Sequence, residues 1–363
     1  MKFVVLGGYG IIGSAVVRDL FDSSPGSEII IAGRDLKKAK AYATSFKSDR
    51  VKAVSVNVEN VSSTSELLKG TDVCINCTQY EFNLDVMKAC LKAKCNYIDL
   101  GGLYHMTLKQ LKLHKDFRKI NRVAILGCGS TPGITNVIAA HAKYLMSEVD
   151  AMHISFADWD ATKSGKLFVL PYSFKTISEE LTMKPALFEH GRMKFPKAGS
   201  GNKAIYFPEP FGKQNGFYGL HSELATFPQS FGLKDCSFRL TFSRDFQKRI
   251  KELMSSKSEF NKIKDQLLPN PSVKVDDAEL VRVEAVGYEK LTLDCITYAN
   301  KKYNLSAGTW DTAVPASVVA QMITKGIILS GGVYPPEKVI RPTDFFKELK
   351  NRKILVYVNG KPI

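Results

Sequence analysis

The sequence predicts an α/β protein, with a doubly wound parallel sheet at the N-terminus followed by a second α+β domain built on a mixed sheet. Three observations carry this. The chain opens on a strand, a glycine cluster and a helix, and apolar strands then alternate with helical patterns six times up to Gly129. From Val149 to about Ser306 the rhythm changes to strands and hairpins with only two intervening helices. A chain of 363 residues is long enough to bury two such cores.

The first element, KFVVLGGYGIIGSAVVRDL (2–20), reads as a buried strand, a tight turn and a helix start. Gly8, Gly10 and Gly13 satisfy G-x-G-x-x-G, the Rossmann dinucleotide signature. The first glycine permits the turn, the second lets backbone approach a pyrophosphate, and the third lets the helix sit close to the strand. Gly7, Gly8, Tyr9, Gly10, Ile11, Ile12 and Gly13 are therefore the expected phosphate cradle, the helix start offering unpaired N–H groups and partial positive charge.

The second strand, SEIIIAGRD (27–35), ends about 20 residues beyond the last glycine, as a βαβ unit requires. An acidic residue at this end would bind the ribose 2′-hydroxyl of NAD. Here the strand ends in Gly33 and Arg34, with Asp35 one place later. A guanidinium suits a 2′-phosphate, so the expected cofactor is NADP, with NAD the alternative if Asp35 takes the ribose and Arg34 is a solvated charge.

The spacing then predicts a helix over 35–47, a strand over 51–58, a helix opened by Ser62 or Ser63, and a strand over 71–77 leading to Thr78, Gln79 and Tyr80. A helix over 81–94, a strand over 95–102, a helix over 108–120 and a strand over 123–129 complete the first domain. Ligands of such a sheet gather at the carboxyl ends of its strands, which singles out Thr78 to Tyr80, Asp99 to Gly102, and Cys128 to Gly133 with Gly129 among them.

STPGITNVIAAHAKYL (130–145) predicts an exit helix capped by Ser130 or Thr131, with Pro132 near its first position. Domain boundaries are expected at 1–130 for the dinucleotide domain and 131–307 for a substrate-binding domain that also forms a homodimer, with 308–345 returning to the first. The second domain should hold strands at 151–157 and 236–242, a hairpin over 279–299, and helices near 176–190 and 243–267. The returning segment should form a helix over 315–326 and a proline-stiffened turn, and residues 345–358 a last helix and short strand.

The formal net charge of +15 is scattered over helix faces such as LKKAKAYA (36–43), which argues against nucleic-acid binding but favours anionic ligands generally. Of seven cysteines only Cys74 and Cys77 have C-x-x-C spacing, and a strand sends them to opposite faces, so no redox pair and no metal are expected. No apolar run is long enough to span a bilayer and no signal peptide precedes the first strand, so the expected location is cytoplasmic with no membrane partner.

VLGGYGIIG, NYIDLGG, GCGSTPGITN, PALFEHGR, and VPASVVAQMITKG with GVYPPE together resemble the saccharopine dehydrogenase-like family. The resemblance covers most of the chain and is loose over 195–300. It implies an NAD(P)-dependent oxidoreductase moving hydride between nicotinamide and the amine or imine carbon of a small amino-acid substrate such as saccharopine, lysine or a carboxy-polyamine. It places Tyr80, Asp99 and Cys128 around the nicotinamide and reacting carbon, and Thr131, Pro132, Gly133 and Asn136 at the substrate's amino-acid end. Where the saccharopine reductase branch reads D-P-G-I-D-H, this chain reads T-P-G-I-T-N, which is similar to the carboxynorspermidine and lysine dehydrogenase branches. Asp99 is the candidate to hold the cationic nitrogen or exchange its proton, with Tyr80 as hydrogen-bond partner. Cys128 lines the site, and Tyr172, Lys175, Arg192, His221 and Ser222 are candidate donors for substrate carboxylates.

Two other readings compete. Gly7, Gly10 and Gly13 also fit the short-chain reductase pattern, but its Y-x-x-x-K must lie on a helix. The matches, starting at Tyr298, Tyr334 and Tyr357, fall at a strand end or contain proline or glycine. A non-catalytic NADP-binding sensor would share the glycine loop and need no polar pocket in the second domain.

Overall fold

A computed structural model describes residues 1–162, 174–242, 244–256, 273–328 and 331–363. The chain divides into two compact units, Met1–Ala140 with Asp311–Arg352, and His141–Trp310 with Lys353–Ile363.

In the first unit β1 (Lys2–Leu6), β2 (Glu28–Gly33), β3 (Val51–Ser55), β4 (Val73–Asn76), β5 (Asn96–Asp99) and β6 (Val123–Ile125) form a parallel sheet with a seventh strand, Gly332–Tyr334. The order is seventh, β6, β5, β4, β1, β2, β3, so the winding reverses between β1 and β4. Such a reversal opens a crevice at the strands' carboxyl ends. Phe3 to Leu6 are fully buried, as a strand covered on both faces must be.

The crossover helices are α1 (Ile11–Ser23), α2 (Leu36–Thr44), α3 (Val61–Leu68), α4 (Asn83–Ala93), α5 (Leu103–Leu111) and α6 (His114–Lys119), and α7 (Ile134–Leu145) carries the chain onward. Local chemistry moved several boundaries. Asn60, not Ser62 or Ser63, caps α3, its side chain accepting from the Ser63 N–H at 3.0 Å. Residues 80–82 form a 3₁₀ turn before α4. The helix expected over 108–120 is two, divided at Lys112–Leu113, and strands expected to reach 58, 102 and 129 stop at Ser55, Asp99 and Ile125. Pro132 stands outside α7, which starts at Ile134 after a cis Thr131–Pro132 bond. The returning helix runs over Ala307–Thr324 with Pro315 inside it.

The seventh strand stands where the sequence predicts a proline-stiffened turn. It pairs Gly332 with Val123 and Tyr334 with Ile125. Gly332 has φ +135°, and a Cβ there would stand 2.6 Å from the His114 ring, whose Nδ1 lies 3.0 Å from the Val333 carbonyl.

The second unit holds a mixed ten-stranded sheet. Its strands include β7 (Ala151–Asp160), β8 (Leu187–Glu189), β9 (Arg192–Lys194), β10 (Lys203–Tyr206), β11 (Lys213–Tyr218), β12 (Asp235–Leu240), β13 (Asp277–Val286) and β14 (Lys290–Tyr298). The order along the main path is β10, β11, β12, β7, β13, β14 and then the C-terminal strands Leu355–Val358 and Lys361–Pro362. β7 and β12 are parallel and the β13–β14 hairpin antiparallel. The helix expected near 176–190 ends at Thr182, and β8 and β9 follow as a hairpin turning at His190 (φ +50°) and Gly191 (φ +73°). Successive left-handed residues match the right-handed strand twist. The helix expected over 243–267 is described as Arg244–Ser255, and the rest of that span lies outside the described residues. All three Y-x-x-x-K tyrosines lie in strands, which removes the helical geometry of the short-chain reading.

Within the first unit the returning segment is fastened by a buried ion pair. Arg352 Nε donates to both Asp19 oxygens at 2.7 and 2.9 Å, Nη1 donates to Glu348 at 2.7 Å, and Ser317 Oγ donates to Asp19 at 2.6 Å. Removing one partner of such a pair strands the other charge in the interior. Asp19→Ala is expected to cost about 3–5 kcal/mol in urea unfolding, and adding Arg352→Met to recover much of that loss.

Candidate active site

The glycine loop is built by collisions that side chains would cause. Gly7 has φ +72°, and a Cβ on it would stand 2.8 Å from the Cys77 carbonyl oxygen at the end of β4. A Cβ on Gly13 would overlap the Gly7 carbonyl, so this glycine is what lets α1 lie against the turn. Gly10 is the N-cap of α1 without a side-chain cap bond, is exposed, and has only the Gly7 carbonyl near the Cβ position, at 3.1 Å. The amides of Ile11, Ile12 and Gly13 start the helix and have no acceptor within it. A concave backbone of this kind, open at Gly10, fits a pyrophosphate.

Tyr9 ties this loop to the end of β2. Its hydroxyl accepts from the Asp35 N–H at 3.0 Å, and its ring fills the place a Gly33 side chain would need. The Asp35 carboxylate accepts from the Lys38 N–H at 3.0 Å and caps α2. It is spent on the helix. Arg34 is exposed and its guanidinium makes no ion pair.

Beyond the crevice the strand ends converge on Asp99, which is 1 % exposed. Its Oδ1 accepts from the Gly101 and Gly127 N–H groups at 3.0 and 2.7 Å, and its Oδ2 from Tyr97 Oη, Asn83 Nδ2 and Gln110 Nε2 at 2.9, 3.2 and 2.5 Å. Asn83 also accepts from Asn76 Nδ2 at 2.9 Å, and Asn76 Oδ1 accepts from the Thr78 hydroxyl at 2.6 Å. Burial pushes the Asp99 carboxyl above its usual range, while the bonds from Gln110, Gly127, Tyr97 and Gly101 pull the other way. Five donors reach this carboxylate and hold it in place, and through it they tie together the loops that follow β5 and β6.

Cys128 is also enclosed. Its N–H donates to the Asp99 carbonyl at 2.7 Å, and burial first, then the Asp99 charge, pushes its thiol well above the ordinary value, which disfavours the thiolate. Gly127 to Gly133 fold back on themselves, the Gly129 N–H donating to the Pro132 carbonyl at 2.8 Å and a Gly133 side chain being excluded by the Gly129 backbone. Asn136 accepts from the Gly133 N–H at 2.8 Å and donates to Glu337 at 2.7 Å, and is itself buried. Both ends of its amide hold the loop. Of this run Thr131 is half-buried, as are Thr78 and Tyr80, while Gln79 is exposed.

These features coincide with those of known proteins. Residues 3–125 match the model of the saccharopine dehydrogenase NADP binding domain, and residues 129–355 that of the saccharopine dehydrogenase C-terminal domain. The chain belongs to the saccharopine dehydrogenase family. NADP is accordingly the cofactor of its N-terminal domain, in keeping with Arg34 standing free where Asp35 is a cap. Curated relatives include a carboxyaminopropylagmatine dehydrogenase of Synechocystis, 27 % identical over 70 % of this chain and 65 % of the relative. A carboxynorspermidine synthase of Vibrio cholerae is 26 % identical over 59 % of this chain and 56 % of the relative. The chain thus spans less than two thirds of the length of these relatives. Among solved structures, the apo L-Glu-forming saccharopine dehydrogenase of Saccharomyces cerevisiae has a TM-score of 0.74 at 14 % identity, covering 98 % of this chain and 99 % of that one. The homospermidine synthase of Legionella pneumophila, solved with NAD, has a TM-score of 0.73 at 16 % identity, covering 99 % and 91 %. These two likenesses show the fold.

In the second domain of this saccharopine dehydrogenase family member the expected substrate donors are not gathered. Tyr172 lies outside the described residues, Lys175 pairs with Glu179 at 4.0 Å, and Arg192 is exposed on the β8–β9 hairpin. Ser222 is buried, and so is His221, which stacks on Phe238 with ring centroids 3.9 Å apart. His221 Nδ1 bonds the Glu223 carboxylate and its Nε2 lies 4.0 Å from Glu180. Among the described residues no group of three His, Cys, Asp or Glu is arranged to hold a metal, and no helix is long and apolar enough to cross a membrane. What sequence reasoning missed is the support around Asp99. Asn83, Gln110 and Glu337 come from helices and the return segment, and only Glu337 sat within a motif already noted, GVYPPE.

Gly13→Ala is expected to destabilise the protein by about 1–3 kcal/mol in urea unfolding and to abolish NADP binding in calorimetry, because the added methyl forces α1 away from the turn. For His221, burial opposes the charge, but the Glu223 and Glu180 carboxylates outweigh it and raise the imidazole above its ordinary value. The stability it contributes is therefore complete below about pH 6.5 and is lost as pH rises through the raised midpoint. NMR of the imidazole should show that midpoint, and Glu223→Gln should bring it down.

Proposed function

We propose that this protein is an NADP-dependent oxidoreductase that transfers hydride between nicotinamide and a carbon bonded to nitrogen, the substrate being a carboxylated polyamine or a related amino acid. The observation that carries the reading is the crevice between β1 and β4. A glycine cradle and an unpaired Arg34 accept the dinucleotide there, and a rigid frame around Asp99 shapes the neighbouring strand ends. The names of the curated relatives, carboxyaminopropylagmatine dehydrogenase and carboxynorspermidine synthase, support a carboxylated polyamine over saccharopine. So does the T-P-G-I-T-N run, in which Thr131 and Thr135 stand where the saccharopine reductase branch carries aspartates.

When bound, the reduced cofactor supplies a hydride to the carbon of a C=N bond, and the oxidised form accepts one from the corresponding amine. The protein's part is to hold and desolvate. Backbone amides at the start of α1 fix the pyrophosphate, Arg34 pairs with the 2′-phosphate, and Gly7 brings the turn against Cys77 and Thr78. Asp99 fixes the Gly101 and Gly127 amides, and through them the two loops that follow β5 and β6. Such a frame keeps reacting carbons aligned without rearrangement. Tyr80 and Thr131, half-buried on those strand ends, are the groups we assign to the substrate, with Tyr80 hydrogen-bonding at the nitrogen and Thr131 at the amino-acid end.

Following NADPH absorbance with a diamine, a β-semialdehyde amino acid and their preformed imine tests this directly. Oxidation of NADPH that requires both carbon fragments supports the proposal, and tight NADPH binding without turnover on any C=N acceptor removes it. Arg34→Ala should weaken NADPH by about tenfold or more while leaving NADH nearly unchanged, as expected for loss of charge-assisted bonds to one phosphate.

A further inference from the structure

The second domain carries a charge arrangement that neither its fold nor the oxidoreductase reading uses. Along one face of its sheet the paired strands align polar residues. His153 and Ser155 of β7 stand beside Ser237 and Arg239 of β12 on one side and beside Glu284 and Arg282 of β13 on the other. Thr292 and Asp294 of β14 continue the two rows. An antiparallel face turned to water ordinarily exposes such residues. Here Ser155, Ser237, Arg282 and Asp294 are 5, 2, 8 and 6 % exposed, and Ser155, Arg282 and Asp294 floor a cleft of about 680 Å³ walled by Lys203–Pro208 and the turn at Asn359–Gly360. That volume lies within the range of small-molecule sites.

The two carboxylates lining the cleft are already matched. Arg282 donates from Nε and Nη2 to Asp294 at 2.6 and 2.8 Å and from Nη1 to the Tyr206 carbonyl at 2.8 Å, and Glu284 pairs with Lys290. Lys203 and Arg239 have no carboxylate partner. Arg239 is nevertheless held still. Its Nε donates to the Gly201 carbonyl at 3.3 Å, its Nη1 to Ser237 Oγ at 2.9 Å, and its guanidinium lies 4.3 Å over the Tyr218 ring. This leaves Nη2 without a hydrogen bond. Ser237 Oγ also lies 2.9 Å from His153 Nδ1, and when it gives its proton to Nδ1 the imidazole carries its own on Nε2, the tautomer that can donate to an anion. Burial first, then Arg239, hold His153 below its ordinary value, with Lys203 adding to this and Glu284 and Asp235 opposing it. In that tautomer the imidazole is a donor, and the unmatched charge of the cleft is that of one lysine and one arginine.

We propose that this cleft binds a small dianion, a phosphate monoester or a dicarboxylate, between Lys203 and Arg239 with His153 as a third donor. Two uncompensated cations, one of them a pre-ordered guanidinium edge, match two negative charges on adjacent oxygens. The site lies wholly within the second domain and does not rest on the hydride-transfer reading.

The test uses the full chain with NADP present, so that phosphate at the glycine loop does not contribute. Inorganic phosphate, succinate and acetate are titrated by calorimetry while the imidazole signals are followed by NMR. The expected result is saturable binding of phosphate or succinate, whichever is tighter naming the source, with a rise in the His153 midpoint and acetate weaker by about tenfold or more. Arg239→Gln and Lys203→Gln should each weaken the dianion by at least about tenfold. Lys203 is exposed and makes no side-chain bond in the structure, so its variant keeps the test valid if Arg239→Gln fails to fold. The proposal is overturned by no saturation with either dianion, by acetate binding as tightly, by a His153 midpoint that does not move, or by Lys203→Gln binding like the parent.

Discussion

Leaving any one of the donors around Asp99 unpaired would cost the full price of a buried polar group, and that constraint shapes the crevice of the N-terminal sheet. The five donors come from Tyr97 on β5, Asn83 on α4, Gln110 on α5, and the loop amides of Gly101 and Gly127. None of these segments can shift alone, because each unmade bond in a dry site loses about 1–3 kcal/mol. Asn76 extends the network to Thr78, and Thr78 lies against Gly7. The phosphate loop thus packs against the end of a hydrogen-bonded frame centred on Asp99, which fixes where the neighbouring strand ends stand.

The return of the chain matters for the same reason. β6 would otherwise be a three-residue edge strand carrying the loop that Asp99 and Asn136 hold. The strand Gly332–Tyr334 pairs with it, and a few residues on Glu337 accepts the Asn136 amide. An edge covered in this way neither frays nor templates another chain. The Asp19–Arg352 pair fastens the far end of the return segment to α1, the helix whose start forms the phosphate cradle.

How much of this was legible in the sequence follows from how local each device is. The glycine loop was legible because each glycine answers a contact within a few residues or one strand away, and the strand-end positions of Arg34, Thr78 and Asp99 followed from the sheet's topology. The hydrogen-bond network around Asp99 was not. Its partners Asn83 and Gln110 stand 16 and 11 residues away and meet it only after two crossovers have packed. A buried acid near a cofactor and a buried acid holding loops look alike until the donors are counted. The strand at Gly332 is too short to show a period. The β8–β9 hairpin did carry a signal, His190-Gly191 between L-F-E and R-M-K, which a helical pattern through Leu181 overshadowed. Asn60 is hard to single out as a cap from sequence because the serines after it are equally good cap residues, one of which supplies the N–H that Asn60 accepts.

The excess of 15 positive charges is best understood through what the carboxylates are doing. Asp35 caps a helix, Asp99 holds loops, Asp19 and Asp294 each pin a buried arginine, and Glu284 pairs with Lys290. Acids committed to internal bonds cannot neutralise neighbouring cations at the surface. Most of those cations are solvated on helix faces, where screening leaves them little effect. Arg34 at the end of β2, and Lys203 with the stacked Arg239, differ in standing beside a concavity with the nearest acid already spent. A low-dielectric wall on one side focuses their field outward, so an incoming oxyanion gains attraction without displacing an existing partner. The same reasoning that proposes Arg34 for a 2′-phosphate therefore applies in the second domain, where no glycine motif announces a site and the proposed one rests on the pairing of charges in three dimensions.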